Sequence, residues 1–390
     1  MSWRPRINPV LALLAGLILL ALLGLPFLRI APNRLVSGEP AYFLSMLTGL
    51  NGWLFLAPCA LLVAALFRQS RALLILVLVT SAALAIGLLW LAASQAQLDS
   101  PGESSIGRVS LGSAFWIAVA MSALIASDAL QRLFATPLQK AAFGFLVVAV
   151  VWIMFASGLC DNLSIMKEYA NRSDGFLAVV LRHLQIVGLA MAFTLAIGLT
   201  LGWTAHTHKK VAGIVFPILN VVQTIPSIAL FGLLMAPLAW LAARWPAMGE
   251  AGISGVGLAP AVIALTLYGL LPVVRGTLAG LQQVSNAQIN AAKALGLQPL
   301  AVLRHVAVPL ALPVVLGGVR TAAVAAVGLA AVTALIGAGG LGSIMFEGLF
   351  SNAQDVVLLG VLPIIALGVA VDALFRLLIS LAARQARPHA

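Results

Sequence analysis

Four ionisable side chains fall inside long apolar runs: Arg275, Arg320, Asp372 and Arg376. A charge within a lipid-compatible stretch is a functional candidate by default, because it is costly to keep there. The rival account is snorkelling, in which an arginine stem carries its charge to the nearby interface. Asp372 and Arg376 stand at i, i+4, the spacing of a pair on one helix. Arg320 is the deepest of the set and a candidate partner for Asp372 from another helix. A second polar group, Gln223, Thr224 and Ser227, surrounds Pro226. Proline frees a backbone carbonyl, and polar side chains beside it either line a wet path or bind neighbouring helices. Gln223, Thr224, Pro226, Ser227, Tyr268 and Arg320 are therefore the candidate translocation path.

Signatures of ordinary enzymes are missing from the sequence. It holds no G-x-x-x-x-G-K-[ST] and no H-E-x-x-H, so neither a P-loop nor a zinc-protease helix is expected. His206 and His208 adjoin Lys209 and Lys210, which reads as a basic turn at a membrane boundary rather than a metal pair. Cys59 and Cys160 lie in or beside apolar runs and suggest neither a disulfide framework nor a metal site. The run Gly337-Ala338-Gly339-Gly340-Leu341-Gly342 lacks the preceding strand that a nucleotide loop needs. It reads as a tight helix exit. No metal and no cofactor is expected in this chain.

The elements that position these residues follow from composition. Hydrophobic residues make up 62% of the 390 residues and charged residues 8%, with mean hydropathy +1.10. A soluble domain is nearer a quarter charged. The net charge of +11 is spread between apolar runs, which favours a lipid bilayer over nucleic acid. The runs 9–28, 50–67, 72–94, 113–130, 141–158, 183–205, 211–235, 258–281, 313–337 and 356–380 predict about ten crossings. The expected fold class is thus all-α, a polytopic integral membrane protein. Residues 211–243 contain Pro217, Pro226 and Pro237 and exceed one upright helix. They are read as one span with a re-entrant or broken segment, since two spans would invert everything after them.

Arg4 and Arg6 precede the first run, which resembles a signal peptide but lacks a small-x-small cleavage site; a retained anchor is expected. With the N-terminus inside, Arg4, Arg6, Arg68, Arg71, Arg132, Lys140, Lys209, Lys210, Lys293, Arg304, Arg384 and Arg387 share one side. They outnumber the Lys and Arg of the other side, where Arg34 lies with most acids, Glu103 among them. That places both termini in the cytoplasm. The chain divides at a polar, non-cytoplasmic loop, 161–182. Before it, 1–160 form an accessory membrane module of about five helices. After it, 183–384 hold every readable motif.

The most telling of these is the segment 285–313. Ser285 and Gln288 form a capping-box pattern. Ala291, Ala292 and Ala294 continue a helix, Gly296 stops it, and Pro299 starts a second short one. Val306, Val308 and Pro309 close the unit. A small, smooth helix at a membrane surface is suited to a groove on another protein.

Asn290-Ala291-Ala292, three residues, Gly296, nine residues, Val306-x-Val308-Pro309 resembles the cytoplasmic signature of bacterial ABC-importer permeases, Glu-Ala-Ala, three residues, Gly, nine residues, Ile-x-Leu-Pro. Asn290 departs from the family's Glu. The stretches around Gln223-Thr224-Ile225-Pro226-Ser227, Leu267–Arg275 and Ala334–Gly342 resemble the glycine betaine/choline (osmoprotectant) branch, over roughly residues 176–384. The resemblance implies a type I permease core at 183–384 with a cytoplasmic coupling loop at 284–312. Asn290, Ala291, Ala292, Gly296, Val306, Val308 and Pro309 would meet the ATPase. Gly337, Gly339, Gly340 and Gly342 would lie at an outer gate. It also implies separate cytoplasmic ATPase subunits holding ATP and Mg, a second permease subunit, identical or related, and a periplasmic or extracellular solute-binding protein. The location would be the bacterial inner membrane, and the transport alternating access. Other readings are a methionine, phosphonate or sulfonate permease, an ion-coupled secondary transporter, or a membrane enzyme. The last two want midplane or clustered ionisable groups that the sequence does not offer.

Overall fold

The computed structural model describes residues 8–33, 38–67, 70–99, 107–134, 136–250 and 252–385. Arg4, Arg6, Arg34, Arg68, Glu103 and Arg387 lie outside them. The chain forms two compact units, Met1–Asn171 and Arg172–Ala390.

In the first unit, α1 (Pro9–Gly24) starts at Asn8, whose side chain accepts from the Leu11 amide, with Pro9 in the first turn. It ends before Pro26, because the residue preceding a proline is pushed into extended backbone; Leu25 has φ −117° and ψ 155°. Then follow β1 (Pro26–Ala31), β2 (Glu39–Tyr42), α2 (Trp53–Ala64), α3 (Arg71–Asp99), β3 (Arg108–Leu111), α4 (Ser113–Leu133), α5 (Pro137–Ala156) and α6 (Ser164–Ala170). The strands make a small antiparallel sheet in the order β2-β1-β3, with Leu28 opposite Leu111 and Ile30 opposite Val109. Val109 also bridges Leu163. The segments that follow α1, α3 and α5 therefore gather at one end of this unit. Phe27 closes the sheet onto the helices, edge-on to Phe43 and Phe115.

This small sheet is set within a chain that is otherwise helical, as the composition leads one to expect. Among the described residues, eight helices are long and apolar enough to cross a membrane, and α1, α2 and the later helix Leu341–Phe350 are shorter apolar helices. The expected spans 9–28 and 50–67 hold helices of 16 and 12 residues; the first stops early because residues 26–28 serve as strand.

The second unit contains α7 (Ser173–Thr207), α8 (Lys209–Thr224), α9 (Ser227–Arg244), α10 (Pro246–Glu250), α11 (Leu258–Gln282), α12 (Asn286–Ala294), α13 (Pro299–Val302), α14 (Val308–Val332), α15 (Leu341–Phe350) and α16 (Gln354–Gln385). At 1.5 Å per residue α7 is about 50 Å long against a hydrocarbon core of about 30 Å. Residues 173–182, expected within the polar loop, are its first turns, polar at 173–175 and apolar at 176–181. α11 is the most buried of the span-length helices and packs against both α7 and α14. It meets α14 backbone to backbone. A Cβ on Gly276 would stand 2.9 Å from the Gly318 Cα, the small-residue approach common between membrane helices.

Residues 211–243 are broken. α8 ends at Thr224 and α9 begins at Ser227, with Ile225 and Pro226 in extended backbone between them. Leu219 on α8 packs against Leu270, Leu271 and Val274 of α11. Leu230 and Phe231 on α9 pack against Ala264, nearer its start. The two helices thus follow successive parts of α11, as one interrupted element.

Candidate functional site

An open cleft of about 650 Å³ lies between α8, α11 and α14. Gln223, Tyr268, Arg275 and Thr321 supply its polar groups, and Gly276, Gly317 and Gly318 let it run close to the backbone. The α8–α9 break sits beside it. The Tyr268 hydroxyl donates to the Ile225 carbonyl, and Gln223 Nε2 donates to the Tyr268 carbonyl at 2.9 Å. An unsatisfied backbone carbonyl is expensive in an apolar medium, so this exchange holds the break open without that cost. Arg275 donates to Asn220 Oδ1 at 2.8 Å.

Of the six residues expected along a path, Gln223 and Tyr268 line this cleft; Thr224, Pro226, Ser227 and Arg320 do not. Thr224 returns its hydroxyl to the Val221 carbonyl at 2.7 Å, and Pro226 precedes α9 as its cap. Arg320 is paired instead with Asp372 at 2.5 Å, between α14 and α16, and Asp372 also takes Arg376 at 2.7 Å. Both pairings weighed from the sequence exist at once. Asn220 and Thr321 carried no sequence signal, because a short polar residue in an apolar run reads the same at any helix face.

At one end of the unit the segment 284–312 folds as two short helices. The capping box is formed: Gln288 N–H donates to Ser285 Oγ at 3.3 Å and Ser285 N–H to Gln288 Oε1 at 3.0 Å. α12 ends in a Schellman pattern. The Leu297 amide reaches the Ala292 carbonyl, the Gly296 amide reaches that of Lys293, and Gly296 has φ +82°. Ala292 is buried and Ile289 packs on Leu281, Val284 and Ala311, while Asn290 and Ala291 face outward. Leu295 is 84% and Leu300 74% exposed. Val306 lies in a π-turn, Leu303–Ala307, that runs into α14. Val308 and Pro309 open that helix rather than closing the loop, since Pro suits a first turn.

At the opposite end, α14 passes through a 3₁₀ turn into Gly337, Gly339 and Gly340, all with φ between 76° and 81°. The Arg182 Nε donates to the Ala338 carbonyl at 2.9 Å, and Gly340 lies against His183. Gly342 starts α15, its Cα against the Ala331 carbonyl. Arg172 pairs with Glu347 at 2.6 Å. The glycine-rich exit is thereby tied to the start of α7, a tie the sequence did not signal.

Span-length helices around a partly polar cleft, with a structured helical loop at one end, define a multi-pass membrane permease. The chain belongs to the family of binding-protein-dependent transport-system inner-membrane components, matched over residues 186–382. Residues 6–166 match the N-terminal domain of the ABC transporter permease YehY. Among curated relatives, the osmoprotectant import permease protein OsmW of Salmonella typhimurium is 38% identical over 206 residues, 53% of this chain and 91% of that protein. The glycine betaine/carnitine/choline transport system permease protein OpuCD of Bacillus subtilis is 32% identical over 54% of this chain and 86% of its own length. The choline transport system permease protein OpuBD of Bacillus subtilis is 32% identical, again over 54% and 86%. A solved structure of the MetNI methionine ABC transporter in an inward-facing conformation is 23% identical over 52% of this chain and 94% of that one, with TM-score 0.42.

Proposed function

We propose that this chain is the membrane-spanning permease of an ATP-driven importer for small quaternary-ammonium osmolytes such as glycine betaine, carnitine or choline. The observation that carries this reading is the likeness of its second unit to permeases named for these solutes. The cleft is the solute's route. Loop 284–312 is the contact with a separate ATPase, its exposed Leu295 and Leu300 being apolar knobs for a groove on that partner. The glycine-rich exit at 337–342 is the outer gate, where a solute-binding protein delivers its cargo. One such loop serves one ATPase, so two permease subunits assemble. ATP-driven closure of the ATPases shifts the loops and alternates access to the cleft.

Proteoliposomes holding the permease, its ATPase and its binding protein are expected to take up radiolabelled glycine betaine, carnitine or choline only with internal ATP. ATP-dependent uptake of methionine with none of the three would overturn the substrate reading and leave the permease reading standing.

The orientation follows from the charge asymmetry. Loop 284–312 faces the cytoplasm, with both termini, and 161–172 faces outward. In a C59A/C160A background, an impermeant thiol reagent added outside intact cells is expected to label D174C and not K293C. Both side chains are exposed, so labelling of K293C from outside would invert the assignment.

A further inference from the structure

Among the described residues that line the cleft, Arg275 is the one charged side chain. Its partner is a neutral amide, Asn220. Three other arginines of this unit have carboxylate partners: Arg320 and Arg376 share Asp372, and Arg172 has Glu347; Arg182, which does not line the cleft, is held by the Ala338 carbonyl and Gln185. A guanidinium offers five N–H donors in a planar fork that matches a carboxylate, and Asn220 occupies one. Seven residues earlier, two turns or about 10 Å along the same face of α11, Tyr268 lines the same cleft. Its hydroxyl is committed to the Ile225 carbonyl, which fixes the ring in place. An aromatic ring face attracts a quaternary ammonium. The cleft thus holds an anion-seeking group and a cation-seeking group two turns apart.

We infer that Arg275 is a carboxylate-binding subsite of the cleft, which makes it selective for zwitterionic quaternary-ammonium solutes over carboxylate-free cations. Glycine betaine and carnitine place a carboxylate on the guanidinium and a trimethylammonium toward Tyr268. Choline has no carboxylate to place on the guanidinium and brings its positive charge toward a fixed one. Asn220 holds the fork aimed into the cleft without neutralising it. An aspartate there would close the subsite from within. This inference rests on the quaternary-ammonium reading above and adds a preference within that class.

The test uses the complete reconstituted importer and compares maximal uptake rates at saturating loaded binding protein, so that capture by the binding protein does not set the rate. The probes are radiolabelled glycine betaine, carnitine and choline. R275Q and N220D are expected to lower the carboxylate solutes' maximal rates about tenfold or more, and R275K by less than R275Q, since lysine keeps the charge and loses the planar fork. The ratio of choline to glycine betaine uptake is expected to rise in both. N220D keeps the arginine and nearly keeps the side-chain shape, so it carries the test if R275Q fails to assemble with the ATPase. Carboxylate rates within about twofold of wild type in R275Q or N220D would overturn the inference. Equal losses for choline and glycine betaine would do so as well. A wild-type importer that moves none of the three probes overturns the substrate reading first, and the subsite with it.

Discussion

Gly296→Val is expected to abolish solute uptake while the protein still inserts and still binds its ATPase subunits. Gly296 stands at φ +82°, where the Leu297 and Gly296 amides satisfy the last carbonyls of α12. Nothing lies within 4 Å of a Cβ built there, so the effect is conformational rather than steric crowding. A β-branched residue in left-handed backbone costs about 1–3 kcal/mol. That shifts the population of the correct loop shape by a factor of about 5 or more. α12, on the proposed coupling role, then runs on past Ala294 and presents Leu295 at the wrong angle. Stimulation of ATP hydrolysis by loaded binding protein is expected to fall about tenfold, with basal hydrolysis kept. Gly296→Asn is expected to recover most of it, because asparagine tolerates this backbone region. Normal stimulation in the valine variant would remove the loop from the coupling path.

The loop was readable from sequence because its instructions are local. Ser285, Gln288, Gly296 and Pro299 each act on backbone groups within a few residues, and each does in the structure what its type predicts. The helix limits of the membrane spans were less readable. Hydropathy reports that a segment avoids water, and it is indifferent to whether the segment is helix or strand. Thus 26–28 continued the first apolar run while Pro26 ended its helix. β2, at 39–42, is a hairpin partner of β1, but the third strand, at 108–111, lies far along the chain, so nothing local announced that pairing. At 173–182 the polar start, Ser173-Asp174-Gly175, suggested a loop that continued to Arg182, and α7 instead begins at Ser173 and takes in the apolar residues 176–181.

Within the site, the residues with a distinctive local setting were found and those defined by the fold were not. Gln223 and Tyr268 were picked out by Pro226 and by Gly269, and they meet at the cleft. Arg275 was flagged as an intramembrane charge, yet its snorkelling account and its cleft position make the same demand on sequence. Only the approach of Asn220 from α8 distinguishes them. The clamp of Arg182 on the Ala338 carbonyl spans 156 residues, beyond any pattern-based reading. Arg320 shows the reverse case. It was the deepest charge and therefore a path candidate, but the structure spends it on a partner.

That partner sets the largest stability effect expected in the second unit. Asp372 receives Arg320 from α14 at 2.5 Å and Arg376 from its own helix at 2.7 Å. The Arg320 and Asp372 side chains are 32% and 26% exposed, a seam and not a dry core. Removing one member of a fully buried pair costs about 3–5 kcal/mol. Partial exposure reduces that, and about 2 kcal/mol is expected for Asp372→Ala, because two guanidinium groups lose their one shared counter-charge. In a unit of this size the loss corresponds to a Tm lower by about 4–8 °C. Arg320→Met should cost less, since Asp372 keeps Arg376. The double variant R320M/D372L replaces the pair by apolar side chains and should recover much of the loss; with the single variants R320M and D372L it closes a double-mutant cycle, with an expected coupling energy of about 1 kcal/mol or more. Thermal unfolding in lipid nanodiscs measures each variant. A D372A protein as stable as wild type, or strictly additive single effects, would show that the pair holds nothing together. Uptake separates this role from one in the path: R320M/D372L is expected to transport at near wild-type rates once folded. A double variant that is stable yet inactive would return Arg320 to the solute's route.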